Sequence, residues 1–248
     1  MTAFDEFGLN ALIEEMNADL IETSKGKSDP GRFFALEDFA LLTDEPVQVI
    51  LEKRAEYRFI NGLRRQTLTA LIPELPPPGT DLYILGNGAG AERTNGTDRG
   101  VFDFGTFIPY LIHMVAPDGG ATLLVSSWTM NKRNADAIVE CLENGAVADA
   151  MICTDPYFNA REPQIATYLA SALIAGGHRY AAFRNHAKVI CVASKDRART
   201  AVVTGSANLS SQPRVEQYVL TTSTEVFAFF SHNLFDWAWD HVQRRHSG

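Results

Sequence analysis

Residues Asn185 to Leu220 read NHAKVICVASKDRARTAVVTGSANLSSQPRVEQYVL. Three β-branched, apolar runs, AKVICVA, TAVVTG and VEQYVL, are separated by stretches rich in turn-forming residues, which predicts three short strands. Side chains alternate across a strand. His186, Lys188, Ile190 and Val192 therefore share one face, and Ala187, Val189, Cys191 and Ala193 share the other. A lysine inside such a frame is costly unless something pairs with it. The turn SKDRART permits a hairpin that returns Ser206 and Asn208 to the sheet end holding His186. The next strand brings Glu216.

Upstream of this stretch, strand and helix patterns alternate. LYILG (82–86), ATLLVSSW and VADAMICTD read as strands. FGTFIPYLIHMVA, NADAIVECLENG and PQIATYLASALIAGG read as helices, the last with glycines placed to cap it. RYAAF precedes the 185–220 strands, and the tail TEVFAFFSHNLFDWAWDHVQ reads as an amphipathic aromatic helix. This order predicts an α/β fold, a mixed β-sheet flanked by helices. The first 74 residues read as mainly helical, with Leu9, Leu12, Ile13 and Met16 at helical spacing and Tyr57 and Ile60 more loosely so. PELPPPGT (73–80) suits an extended linker. The boundary is therefore expected between a helical N-terminal extension, 1–78, and a catalytic domain, 79–248. Gly86, Gly88 and Gly90 follow a strand, but their G-x-G-x-G spacing does not open a helix. They read as a flexible or substrate-covering loop rather than a dinucleotide site.

The totals narrow the class. The 248 residues are 46% hydrophobic and 21% charged, an ordinary globular balance. No apolar run is long enough to span a bilayer, and the acidic start lacks the basic and apolar regions of a secretory signal, so a cytoplasmic location is expected. Cys141, Cys153 and Cys191 are dispersed, as reduced buried thiols would be, and no Cys/His cluster marks a zinc site. The net charge of −8 resides in residues 1–50, with 11 acidic and 3 basic side chains; the rest is neutral. Arg179, Arg184, Lys188, Lys195, Arg197 and Arg199 concentrate positive charge between 179 and 199, a local field suited to phosphates.

The residue types at 185–220 suit phosphoryl chemistry. An imidazole attacks phosphorus or protonates a leaving oxygen. A lysine and an asparagine hold non-bridging oxygens, and a carboxylate can fix an imidazole tautomer. The order H-A-K, then G-S-A-N beginning 17 residues after Lys188, then Glu216 eight residues after Asn208, resembles the signature of the phospholipase D superfamily. The closing aromatic helix resembles that superfamily too. The resemblance implies a mixed sheet flanked by helices and a metal-independent, cofactor-free phosphodiesterase that passes through a phosphohistidine. It implies His186 as nucleophile or acid, Lys188 and Asn208 as phosphate ligands, Ser206 as an assisting ligand and Glu216 as the group that orients an imidazole. Arg184 and Arg214 are added as candidate phosphate contacts. The superfamily often carries Asp five residues after the lysine; here that position is Ala193, and Asp196 lies out of register in the turn. This departure moves the chain away from the lipid-cleaving members.

Only one copy of the motif is present, whereas the chemistry uses two imidazoles. A homodimer that places His186 against its mate is expected. His113 is the alternative within the chain, but it lies in a helical pattern with no neighbouring lysine. The partners expected are a second copy and nucleic acid, DNA ahead of RNA, with no membrane. A lipid hydrolase or phosphatidyltransferase, and a non-catalytic nucleic-acid-binding member, are the competing readings.

Overall fold

In a computed structural model, the structure describes residues 56–62, 67–87, 102–210 and 215–246. The helices expected in the acidic N-terminal segment, the loop expected at Gly88 and Gly90, and Arg214 lie outside the described residues.

The predicted strands form one mixed sheet of eight: β1 (Glu56–Gly62), β2 (Thr80–Asn87), β3 (Ala121–Ser126), β4 (Val147–Thr154), β5 (Arg179–Ala182), β6 (Val189–Ala193), β7 (Thr200–Gly205) and β8 (Val215–Thr221). Their order is β1-β2-β8-β7-β6-β3-β4-β5. The central β6–β7–β8 run is antiparallel, whereas β3–β4–β5 and β1–β2 are parallel. Helices α1 (Leu68–Leu71), α2 (Phe107–Val115), α3 (Lys132–Glu143), α4 (Pro156–Arg161), α5 (Pro163–Ala175), α6 (Thr224–Phe230) and α7 (Trp237–His246) make the connections and cover the faces.

The alternation in VICVA sorts two cores. Ile190 and Val192 pack with Phe107, Leu111, Ile138, Leu169 and Val203 on one face. Val189, Cys191 and Ala193 pack with Val202, Phe227, Phe235 and Ala238 on the other. All five residues of β6 are buried. Truncating one of the larger ones, Ile190 to Ala, should cost about 2–5 kcal/mol. The three cysteines are free and buried, and burial pushes the thiols of Cys153 and Cys191 far up, away from reactivity.

Local signals set the helix ends. Asn131 caps α3 by accepting from Asn134 N–H at 2.9 Å, and Ser223 caps α6 by accepting from Val226 N–H at 3.2 Å. At the end of α5, His178 N–H donates to the Leu173 carbonyl at 2.8 Å while Gly177 takes φ 75°, the glycine cap foreseen from the sequence.

One expectation changes. The loose helical spacing at Tyr57 and Ile60 gives way to β1, which pairs in parallel with β2. The compact unit that contains the sheet spans Ala55–Gly248. The closing helix foreseen from the sequence runs from Thr224 to His246. A π-helical segment, Ser231–Asp236, links α6 to α7, and Phe227, Phe235 and Ala238 all join the second core. Among the described residues, no helix is long and apolar enough to cross a membrane.

Candidate active site

His186 and Lys188 sit just ahead of the β6 ladder, not within it. The segment is held by a buried polar frame. Asn185 N–H donates to Asp155 Oδ2 at 2.9 Å, and its Nδ2 donates to Ser126 Oγ at 2.8 Å. Its Oδ1 accepts from Ala187 N–H at 3.0 Å, and Ser126 Oγ donates to the Ala187 carbonyl at 3.1 Å. A bonded frame of this kind fixes the backbone on both sides of His186 while the imidazole remains exposed.

Lys188 is buried, at 8% exposure. Its Nζ lies 2.7 Å from Nδ1 and 3.2 Å from Nε2 of His186 and donates to the His186 carbonyl at 2.7 Å. Desolvation lowers its pKa, and the Glu216 carboxylate partly opposes that shift. The ammonium is thus a desolvated cation held by an imidazole nitrogen and a backbone carbonyl.

The G-S-A-N turn closes on the same point. Gly205 N–H donates to the Lys188 carbonyl at 3.2 Å, and Ser206 N–H to the Gln217 carbonyl at 3.1 Å. A Cβ on Gly205 would sit 2.7 Å from the Tyr218 ring and 2.8 Å from the Gln217 carbonyl, so this close approach requires glycine. The loop is pinned further along, where Ser127 Oγ accepts from Leu209 N–H at 3.0 Å and Asn134 Nδ2 donates to the Leu209 carbonyl at 2.9 Å. Ser206 Oγ donates to Glu216 Oε2.

These groups line a cavity of about 240 Å³ together with Asp103, Trp128, Ser210 and Tyr218. Three of its polar atoms are buried without a hydrogen-bond partner: Asn208 Oδ1, Ser210 Oγ and Tyr218 Oη. Such orphans are rare because each forfeits solvation. A half-turn of the Asn208 amide presents its N–H2 in place of the oxygen. The Tyr218 ring stacks on Phe104 at 5.9 Å and 10°. Burial, then the charges of Glu216 and Asp103, push its phenol well above the ordinary range, so it stays an O–H donor.

The structure therefore brings together His186, Lys188, Ser206, Asn208 and Glu216. Arg184 is exposed and does not line the cavity. The rest of the basic cluster disperses: Lys195, Arg197 and Arg199 lie in the β6–β7 turn, at the far end of the strand from His186. Arg179 pairs with Asp149 at 3.4 Å and Asp236 at 3.9 Å. Asp196 is spent on the turn itself, accepting from Ser194 Oγ at 2.6 Å and Ala198 N–H at 3.0 Å. Within one chain Glu216 engages Ser206, while the His186 imidazole meets Lys188 and the Trp128 ring. His113, His178, His232 and His241 all lie outside the cavity lining.

No protein-family model matches the chain, and no curated protein sequence does. In structure it is similar to a polyphosphate kinase from Porphyromonas gingivalis, at 12% identity and a TM-score of 0.40 over 64% of this chain and 24% of that one. It is also similar to the phosphatidylserine synthase of Haemophilus influenzae Rd KW20, at 14% identity and a TM-score of 0.40 over 61% of this chain and 37% of that one. The chain thus spans about a quarter of the first protein and somewhat over a third of the second.

Sequence reasoning missed Tyr218, Ser210, Asn185 and Trp128. Tyr218 was hidden as one more apolar letter in VEQYVL. Its alternation with Glu216 does place both on one face, and that was the available signal.

Proposed function

We propose that the chain is a phosphodiesterase of the phospholipase D type that cleaves nucleic acid through a phosphohistidine at His186. The observation that carries this reading is the cavity in which His186 and Lys188 face three buried, unpartnered polar atoms. A tetrahedral phosphate oxygen set is the chemistry that satisfies a hydroxyl, a phenol, an amide and an ammonium at once.

An entering phosphate draws the Lys188 ammonium from the imidazole and frees a ring nitrogen. That nitrogen attacks phosphorus, forming a P–N bond as the P–O bond to the leaving group breaks. The leaving oxygen takes a proton from a second imidazole. Water then attacks phosphorus, passes a proton back to that imidazole, and the P–N bond breaks to restore neutral His186. Lys188, Asn208, Ser210 and Tyr218 stabilise the charge that develops on the non-bridging oxygens.

The second imidazole is assigned to His186 of a second copy, because no other described histidine with a described side chain lines the cavity. His186 is exposed and free to meet its mate. In such a dimer Glu216, which also accepts from Ser206 Oγ, orients the incoming ring. Arg214 is proposed as an added phosphate contact beyond the described residues.

The test pairs substrates. Single-stranded and duplex DNA, RNA and phosphatidylcholine vesicles are each incubated with the chain in EDTA. Cleavage of nucleic acid that His186→Ala abolishes supports the reading. Headgroup release without nucleic-acid cleavage moves the chain to the lipid alternative. Binding with no cleavage of any substrate supports the non-catalytic one.

A further inference from the structure

The wall of the cavity beside His186 is aromatic and continues outward. Trp128 lines the cavity, and its ring centroid lies 5.6 Å from that of His186. On Trp128 stacks Tyr157, with centroids 4.8 Å apart and planes within 7°. Tyr157 is 42% exposed although it is large and apolar. Arg161, one turn on in α4, donates to the Tyr157 hydroxyl at 2.7 Å and holds its guanidinium 5.8 Å from the ring centroid.

The pair is tied to the reactive segment through one carboxylate. Asp155 Oδ1 accepts from Tyr157 N–H at 2.8 Å, and Asp155 Oδ2 accepts from Asn185 N–H at 2.9 Å. The stack and His186 are therefore positioned by the same side chain. None of this is needed to grip a phosphate alone.

We propose that Trp128 and Tyr157 form a stacking platform for a nucleobase next to the phosphate, so that the site takes single-stranded nucleic acid. This deepens the phosphodiesterase reading and rests on its assignment of the cavity to phosphate. Flat, partly exposed aromatic faces accept any base, because every base has a π-face. Bases in a duplex are already stacked on their neighbours and do not offer that face. An aromatic wall beside a phosphate site also fits a quaternary ammonium, but the Arg161 guanidinium at the ring opposes a second cation. A base has no such conflict and gains from stacking beside arginine.

The experiment measures binding by fluorescence anisotropy with the full-length chain carrying His186→Ala, which removes cleavage. The probes are labelled hexathymidylate and a hexamer of abasic tetrahydrofuran units with the same phosphate charge. Base stacking predicts tighter binding of hexathymidylate by about 5- to 100-fold. Adding Tyr157→Leu, outside the cavity lining, should bring the two probes close to equal affinity while abasic binding holds, and Trp128→Leu should likewise remove the preference for hexathymidylate. Circular dichroism confirms that each variant is folded, and either folded variant suffices. Equal affinity for both probes in the parent chain overturns the proposal, as does a loss in the variants that affects both probes alike. Trp128-dependent binding to phosphatidylcholine vesicles in place of the oligonucleotides also overturns it. A base preference in a chain whose His186 form cleaves nothing keeps the platform and refutes the hydrolytic reading. Equal cleavage and equal binding of both oligomers keeps hydrolysis and refutes the platform.

Discussion

Replacing Tyr218 by Phe removes one oxygen and leaves the ring in place. That ring is 1% exposed and packs against Phe104 at 5.9 Å and Phe107 at 5.2 Å. Its hydroxyl is buried and unpartnered. A buried polar group without a partner costs about 1–3 kcal/mol of desolvation. Tyr218→Phe should therefore stabilise the unliganded protein by about 1 kcal/mol, which for a chain of this size raises the melting temperature by roughly 2–4 °C. If the hydroxyl is held open for phosphate, the same change must weaken phosphate binding. Loss of one hydrogen bond to a charged ligand is worth about 1.5–3 kcal/mol, or roughly 10- to 150-fold in affinity. The assay is thermal unfolding with and without saturating inorganic phosphate. The prediction is a crossover: the variant melts higher than wild type alone, but its gain from phosphate is smaller. A variant that melts lower alone, with an undiminished phosphate shift, would show that the hydroxyl serves packing and not an anion.

Other outcomes follow from the same geometry. Lys188→Met should lower kcat/KM by about 10²- to 10³-fold, the scale for one lost charge-stabilising donor. In the wild type, the buried Lys188 has a pKa below its ordinary 10.5, so the alkaline limb of the rate profile should fall below that value. The sign for stability is the reverse: between the folded and unfolded pKa the unfolded lysine binds more protons, so stability rises with pH across that window. The rise should flatten in Lys188→Met, measured by denaturant unfolding against pH. Gly205→Ala should destabilise by about 1–3 kcal/mol, because its Cβ would lie 2.8 Å from the Gln217 carbonyl. Mixed dimers of wild type and His186→Ala should be as inactive as the pure variant, if two copies share one site; half-activity in the mixture argues for independent sites.

Much of the fold was legible because single residues carried unambiguous signals. The alternation in VICVA separated Ile190 and Val192 from Val189, Cys191 and Ala193, and the two sets enter different cores. The Gly176–Gly177 pair marked the end of α5. Less was legible where tertiary contacts decide. In β1 the large apolar Phe59 is 82% exposed while Ile60 packs on the core, so hydrophobicity alone did not mark its faces, and pairing with β2 makes it a strand. The π segment in the closing helix depends on fitting Phe227 and Phe235 to the sheet, which spacing alone does not reveal. At the site, His186, Lys188, Ser206, Asn208 and Glu216 line one cavity, although His186 and Lys188 lie just ahead of β6 rather than within it. The basic run from 179 to 199 misled, since a strand separates its two ends and carboxylates neutralise Arg179. Tyr218, Ser210 and Trp128 were illegible because their significance lies in what they lack or face in three dimensions.

The account turns on a covalent bond between phosphorus and one imidazole. The direct measurement is alkaline quench of the full-length chain during turnover of a single-stranded oligonucleotide in EDTA, followed by peptide mass spectrometry. The account predicts one acid-labile phospho-oligonucleotide adduct, on the peptide containing His186, that forms and decays at the rate of turnover. Turnover with no adduct, or with an adduct on another residue, would contradict it.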